Sequence, residues 1–253
     1  MVRPGTDNVL SLPPESPTPP VTRHEPPWTA GLRAARANVL PGLLVQGAML
    51  AVLLAYQFYP PTRLLLDELA ALKTRWSYGY SAINAVVAGA LIPELLRVLV
   101  IQKGRIGREN FGSLLFAAPF WCLMGVVVDY FYRCQAGWFG AEATLGVVVK
   151  KVLVDQFVYN PLFAAPVTAW LYDWKNRGCR LTGTRVFFTA AYYRDTVVPA
   201  LFATWGVWIP LVTILYSLPS PLQIPLFGLA LSLWVVLYTW MSEQRVRGSI
   251  LTS

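Results

Sequence analysis

The chain has 253 residues, of which 55% are hydrophobic and only 13% charged, whereas a soluble domain carries about 45–50% apolar and about 25% charged residues. That is too little charge to clothe a water-facing exterior, which argues against a soluble enzyme and for an integral membrane protein built of transmembrane helices. The net charge of +8 comes from basic residues set mostly between apolar runs, where they meet anionic headgroups and set orientation, so lipid rather than nucleic acid is the expected partner.

Residues 1–34 form a Pro-rich tail, with Pro13, Pro14, Pro17, Pro19 and Pro20 close together. It offers too little apolar area to offset chain entropy and is expected to be disordered. It has no charged start followed by an apolar core, and Asp7, Glu15 and Glu25 speak against an Arg-rich transit peptide. The next unit, 35–77, holds a first span over 39–60, with Asn38 as its N-cap, and an amphipathic helix over 62–76. In the latter, Leu64, Leu65, Leu66, Leu69 and Leu72 stand against Arg63, Asp67, Glu68 and Lys73.

Residues 78–245 hold the main bundle. Its first span, 78–101, carries Ala85 and Gly89 at a small-xxx-small spacing that lets backbones approach. Spans follow over 111–132 and 150–172, then a polar, basic loop over 173–194. The last two spans, 195–217 and 221–240, are joined through Ser217, Leu218 and Pro219 as a tight hairpin. Each run reaches or nears the roughly 20 residues that cross hydrocarbon. The fold class is therefore all-α, a polytopic bundle of about six spans with an amphipathic interfacial helix. Most lysines and arginines outside the spans fall on the side of the N-terminus, which places both termini on the cytoplasmic or matrix-like side.

Three groups of charges interrupt the apolar runs. Asp155 lies near the start of the 150–172 span, followed by Gln156, with Pro161 six residues after Asp155. A carboxylate near hydrocarbon must face the bundle interior, a partner or water, and Pro161 loosens backbone carbonyls there. Asp155 either lines a polar path or pairs with Lys151, at i,i+4, near the membrane surface. Glu94 and Arg97 are close enough on one helix face to pair, either lining a pore or sitting at the interface. Asp129 and Arg133 close the 111–132 span between tyrosines and read as an interfacial anchor, with Asp129 a secondary pore candidate. Cys122, Cys134 and Cys179 have no metal-ligand spacing, and the single histidine, His24, lies in the tail. No phosphate loop, nucleophile elbow or zinc-helix motif is present, so no catalytic residue, metal site or cofactor is expected and the chain is not read as an enzyme.

The stretch Lys150-Lys151-Val152-Leu153-Val154-Asp155-Gln156-Phe157-Val158-Tyr159-Asn160-Pro161 is similar to a motif of the Mpv-seventeen and peroxisomal-membrane-protein-twenty-two family, Lys-x-x-x-Asp-Gln followed by an aromatic residue and proline. Pro119, ten residues before Asp129, resembles the family's Gly-Pro and Leu-Asp spacing. Trp208 and Pro210 resemble its Trp-Pro segment. Pro219, Trp234 and Trp240 resemble its closing Val-Pro, Trp and Tyr-Leu-Ser elements. The match covers roughly 78–243 and departs at Met124-Gly125, Leu215-Tyr216 and Gln223, where the family has Trp-Tyr, Asn-Phe and Arg.

The resemblance implies a divergent member, a multi-span bundle in an organellar (peroxisomal or mitochondrial inner) membrane or, for a prokaryotic relative, the plasma membrane; the tail's lack of targeting character favours a bacterial inner membrane. The resemblance further implies a weakly selective channel for small solutes or ions; read from the residues themselves, Asp155, Gln156 and Pro161 would line or gate such a path, and an oligomer is compatible with it. The alternative is a structural or partner-binding membrane protein that transports nothing.

Overall fold

The computed structural model describes residues 26–180 and 182–251; the side chains of Pro27, Ala30, Asn176 and 238–251 are not described. Residues 1–25, most of the tail, and the Trp240 side chain thus lie outside the described residues. Seven helices follow in chain order, with no strand among the described residues: α1 (Pro27–Phe58), α2 (Pro60–Trp76), α3 (Tyr78–Ile101), α4 (Arg108–Phe139), α5 (145–176), α6 (Ala190–Tyr216) and α7 (Ser220–Leu251). A short 3₁₀ turn, Thr184–Phe188, lies between α5 and α6.

Five of these helices are long and apolar enough to cross a bilayer: α1, α3, α4, α6 and the Ser220–Leu237 part of α7. Their outer faces carry exposed large apolar side chains such as Leu43, Leu50, Leu54, Leu95, Leu99, Leu115 and Leu123. Water would not tolerate so continuous an apolar exterior, and lipid would. The expected sixth span is helical over its whole length as α5, yet it is not among the five. Asp155, Gln156, Asn160 and Pro161 dilute its middle.

Helix α1 begins at Pro27, well ahead of residue 39, because a proline is tolerated in the first turn and no breaker follows before Pro41. Asn38 is therefore not an N-cap. It lies inside α1, buried, and its amide donates to the Ala203 carbonyl of α6 at 3.0 Å. About two helical turns further on, Gln46 donates to the carbonyls of Gly206 (2.9 Å) and Val207 (3.0 Å). Sequence explains the need: Pro210 has no N–H, so the Gly206 carbonyl four residues earlier loses its helical partner. In lipid that carbonyl must find another. Gln46→Leu should therefore lower stability by about 1–3 kcal/mol, read as the shift in unfolding of the detergent-solubilised protein; unchanged unfolding would refute the bridge.

The α1–α6 and α3–α4 contacts are both extensive, and α7 and α2 pack beside the first. Val45, Met49, Leu211, Leu215, Leu222 and Leu226 form its buried apolar seam, joined by Leu66 of α2. Helix α2 thus docks on its neighbours through Leu66, Leu69 and Ala70 while Leu64 and Leu65 stay exposed. Between α3 and α4 the small residues act as expected. A Cβ on Gly89 would collide with the Trp121 ring, and one on Gly125 with the Ser81 carbonyl and Ala85.

Three π-helical segments accompany prolines. Val87–Leu91 precedes Pro93, Tyr193–Val197 precedes Pro199, and Asp155–Ala164 contains Pro161. A residue without an N–H breaks the regular ladder, and a wider turn is one way to reset it. A fourth π segment, Arg97–Ile101, ends α3 without a proline.

Candidate functional site

Helix α5 carries the most polar part of the bundle interior. In the wider register of Asp155–Ala164, bonds run from a residue to the fifth before it, as from the Ala165 N–H to the Asn160 carbonyl. The Gln156 carbonyl would then need an N–H from residue 161, which is proline. The Trp205 indole of α6 supplies one instead at 3.2 Å. Tyr193 donates its hydroxyl to the Pro161 carbonyl at 3.0 Å. Pro161 is thus a shaping residue, and α6 satisfies the backbone it frees.

This geometry turns Asp155 toward the end of α6. Its carboxylate is buried and accepts from the Tyr216 hydroxyl in a short hydrogen bond and from the Gln156 amide at 3.0 Å. Tyr216 in turn accepts from the fully buried Gln135 amide of α4 at 2.8 Å. The chain of bonds runs Gln135 to Tyr216 to Asp155, and each carboxylate oxygen is met by one neutral donor. The i,i+4 pairing of Asp155 with Lys151 does not form: no ion pair joins them, and Lys151, buried, holds its ammonium 5.9 Å from the Tyr216 ring centre. Asp155 is met instead by Tyr216 and Gln156, in the interior and not by Lys151 at a surface.

Asp155 and Gln156 line a cavity of about 370 Å³. Its wall is largely apolar, with Trp121, Met124, Trp208 and Phe227, and polar groups enter from Asn84, Asn160, Thr168 and Thr204. Along α5 it extends from Asp155 to Ala169, about 21 Å at 1.5 Å per residue. The Tyr159 hydroxyl, also in this wall, is buried without a protein hydrogen-bond partner.

A second cavity of about 230 Å³ lies at the end of the bundle where α2 meets α3 and α6 meets α7. Here Asp129 is buried, not an interfacial anchor. It accepts from Lys73 at 2.8 Å, from Ser81 Oγ at 2.7 Å and from Arg133 Nε at 3.1 Å. Arg133 remains half-exposed, donates to Ser77 Oγ at 2.8 Å and lies over the Tyr78 ring. Ser77 has a positive φ of 50°, an uncommon backbone state for a non-glycine residue, and Lys73 also reaches its carbonyl at 3.3 Å. The two cavities share Tyr132 and Ile224 as wall. Asn84 holds Ile224 by its carbonyl at 2.9 Å, and the Tyr132 and Tyr216 rings lie 5.0 Å apart.

Glu94 and Arg97 belong to neither cavity. Glu94 is buried and accepts from the Asn110 amide, with Arg97 at 3.7 Å. Asn110 also caps α4 by accepting from the Gly107 N–H at 2.7 Å. This cluster ties the α3–α4 loop together, about 28 Å along α4 from Asp129. Of the other motif residues, Trp208 lines the larger cavity, Trp234 packs against the α1–α6–α7 core, Pro119 lies inside α4, and Pro219 sits in the short α6–α7 joint. Lys73, Ser81, Gln135 and Tyr216 are the polar residues that sequence reasoning passed over.

Bilayer-length helices enclosing two buried polar sites make this a multi-pass α-helical membrane protein. No family model, no curated protein and no solved structure matches the chain.

Proposed function

We propose that the protein is a weakly selective permeation protein for small solutes, not an enzyme, with the two cavities as successive parts of one path. The observation that carries this reading is their common wall: Tyr132 and Ile224 are all that the two linings share. The smaller, outer cavity is charged and lies at the bundle end, and the larger, inner one runs along α5. A ring and an aliphatic side chain form a partition that a change of side-chain rotamer can open. Asp155 supplies the polar foothold on the inner side.

Membership of the Mpv-seventeen and peroxisomal-membrane-protein-twenty-two family is part of the same proposal. It rests on the segment 150–161, whose Asp155, Gln156 and Pro161 all shape or line the inner cavity. On that basis the membrane is a bacterial inner membrane or its organellar equivalent.

The test is efflux of small solutes from liposomes containing the purified protein. Wild-type protein should release them faster than empty liposomes, and folded Asp155→Ala should release them at a different rate. Equal release by empty, wild-type and Asp155→Ala liposomes would favour a structural or partner-binding role instead.

A further inference from the structure

We infer that the inner cavity is a binding site for an amphipathic organic cation, an arylalkyl amine in its ammonium form. The inference rests on the permeation reading only for its site, since it names what that cavity takes.

Charge accounting comes first. Three carboxylates are buried among the described residues: Glu94, Asp129 and Asp155. Glu94 has Arg97, and Asp129 has Lys73 and Arg133. Asp155 has no cationic partner within ion-pair distance; its two hydrogen bonds come from the neutral Tyr216 and Gln156. A buried carboxylate without a counter-charge is costly in a low-dielectric interior. No lysine, arginine or histidine lines the inner cavity, and Asp155 is its one carboxylate. The wall therefore offers whatever enters a carboxyl group with no protein counter-ion, a place for a ligand that brings its own positive charge.

The rest of the lining defines the ligand's shape. Trp121, Trp208, Tyr132 and Tyr159 contribute aromatic rings, whose faces attract cations and whose areas favour an apolar body. Trp121 is fixed as wall: it packs on Gly89, where no side chain is accommodated, and its indole donates to the Tyr172 hydroxyl at 3.2 Å. The unpartnered, buried Tyr159 hydroxyl offers an acceptor for an N–H. Carboxylate oxygens retain further acceptor capacity beyond one bond each. A volume of about 370 Å³ accommodates a single-ring amine. The outer cavity, with Lys73 and Arg133 against Asp129, has the opposite charge balance and does not suit such a ligand.

The experiment titrates the detergent-solubilised protein with phenethylammonium and, separately, with the neutral 2-phenylethanol, following tryptophan fluorescence. Saturable binding of phenethylammonium, at least about tenfold tighter than that of 2-phenylethanol, is expected for the wild type. Asp155→Asn should lose that preference and bind both alike. No saturable ammonium binding by folded wild-type protein, or equal affinity for the two probes, overturns the inference without recourse to any variant. An unchanged preference in folded Asp155→Asn overturns it as well. Liposome efflux separates the two readings: ammonium binding without efflux refutes permeation alone, and efflux of neutral solutes without ammonium preference refutes the cation site alone.

Discussion

Replacing Lys73 by methionine should destabilise the protein by about 3–5 kcal/mol, the loss expected when one partner of a buried ion pair is removed. Lys73 and Asp129 are both buried, and the ammonium lies 2.8 Å from the carboxylate. Without it, Asp129 keeps only Ser81 and the half-exposed Arg133. The same ammonium also bonds the Ser77 carbonyl, so the α2–α3 joint loses a tether. Lys73→Met combined with Asp129→Leu should recover most of the loss, because neither charge is then stranded. Unfolding of the three proteins in detergent checks this. A single variant as stable as wild type would mean that Lys73 does not hold Asp129 inside the bundle.

That pair was legible in part. Leu66, Leu69 and Lys73 are spaced by three and four residues, so Lys73 falls on the apolar face by which α2 docks. A lysine on the buried face of an amphipathic helix demands a carboxylate, and Asp129 is an intramembrane one. Reading the charges of 62–76 as one polar side hid the demand. Asp129 was in turn paired by proximity in sequence with Arg133, which it does contact, although the helical neighbour is the more exposed of its two cations.

Helix content, five spans and the α6–α7 hairpin follow from apolar run length and breaker position, signals that are local and strong. Asn38 has the character of an N-cap, which sets the expected start of the first span at 39, yet α1 begins at Pro27. Helix continues through 29–38 because nothing there interrupts the backbone ladder, and Asn38 is spent on α6. Pro161 marks irregular backbone in the sequence, and a π segment contains it, whereas Pro41, Pro119 and Pro210 sit within regular α-helix. The identity of the side chains that repair each break was not readable. Gln46 answers Pro210, and Trp205 answers Pro161, across separations of more than forty residues. Such pairings depend on which helices become neighbours, and one-dimensional periodicity carries no record of that.

Tyr216 is the clearest case of a residue with no local signal and a large predicted effect. It closes α6 beside the hairpin, where an aromatic reads as an interfacial anchor, yet it is almost completely buried. Its hydroxyl accepts from Gln135 and donates to Asp155. Gln135 has no other hydrogen bond to give way to, since its carbonyl oxygen is itself buried without a partner. Tyr216→Phe preserves the ring that packs with Tyr132, Val148, Val152, Val212 and Ile224 and deletes only the bridge. Two buried groups then lose a partner, at about 1–3 kcal/mol each, so a total loss of about 2–6 kcal/mol is expected in detergent unfolding. Gln135→Leu added to Tyr216→Phe should return part of it by removing one of the stranded groups. Asp155, left with Gln156 alone, would gain freedom to swing into the cavity it lines, so ammonium binding should persist in Tyr216→Phe while stability falls. Loss of both together would instead mean that the hydroxyl shapes the site as well as the fold.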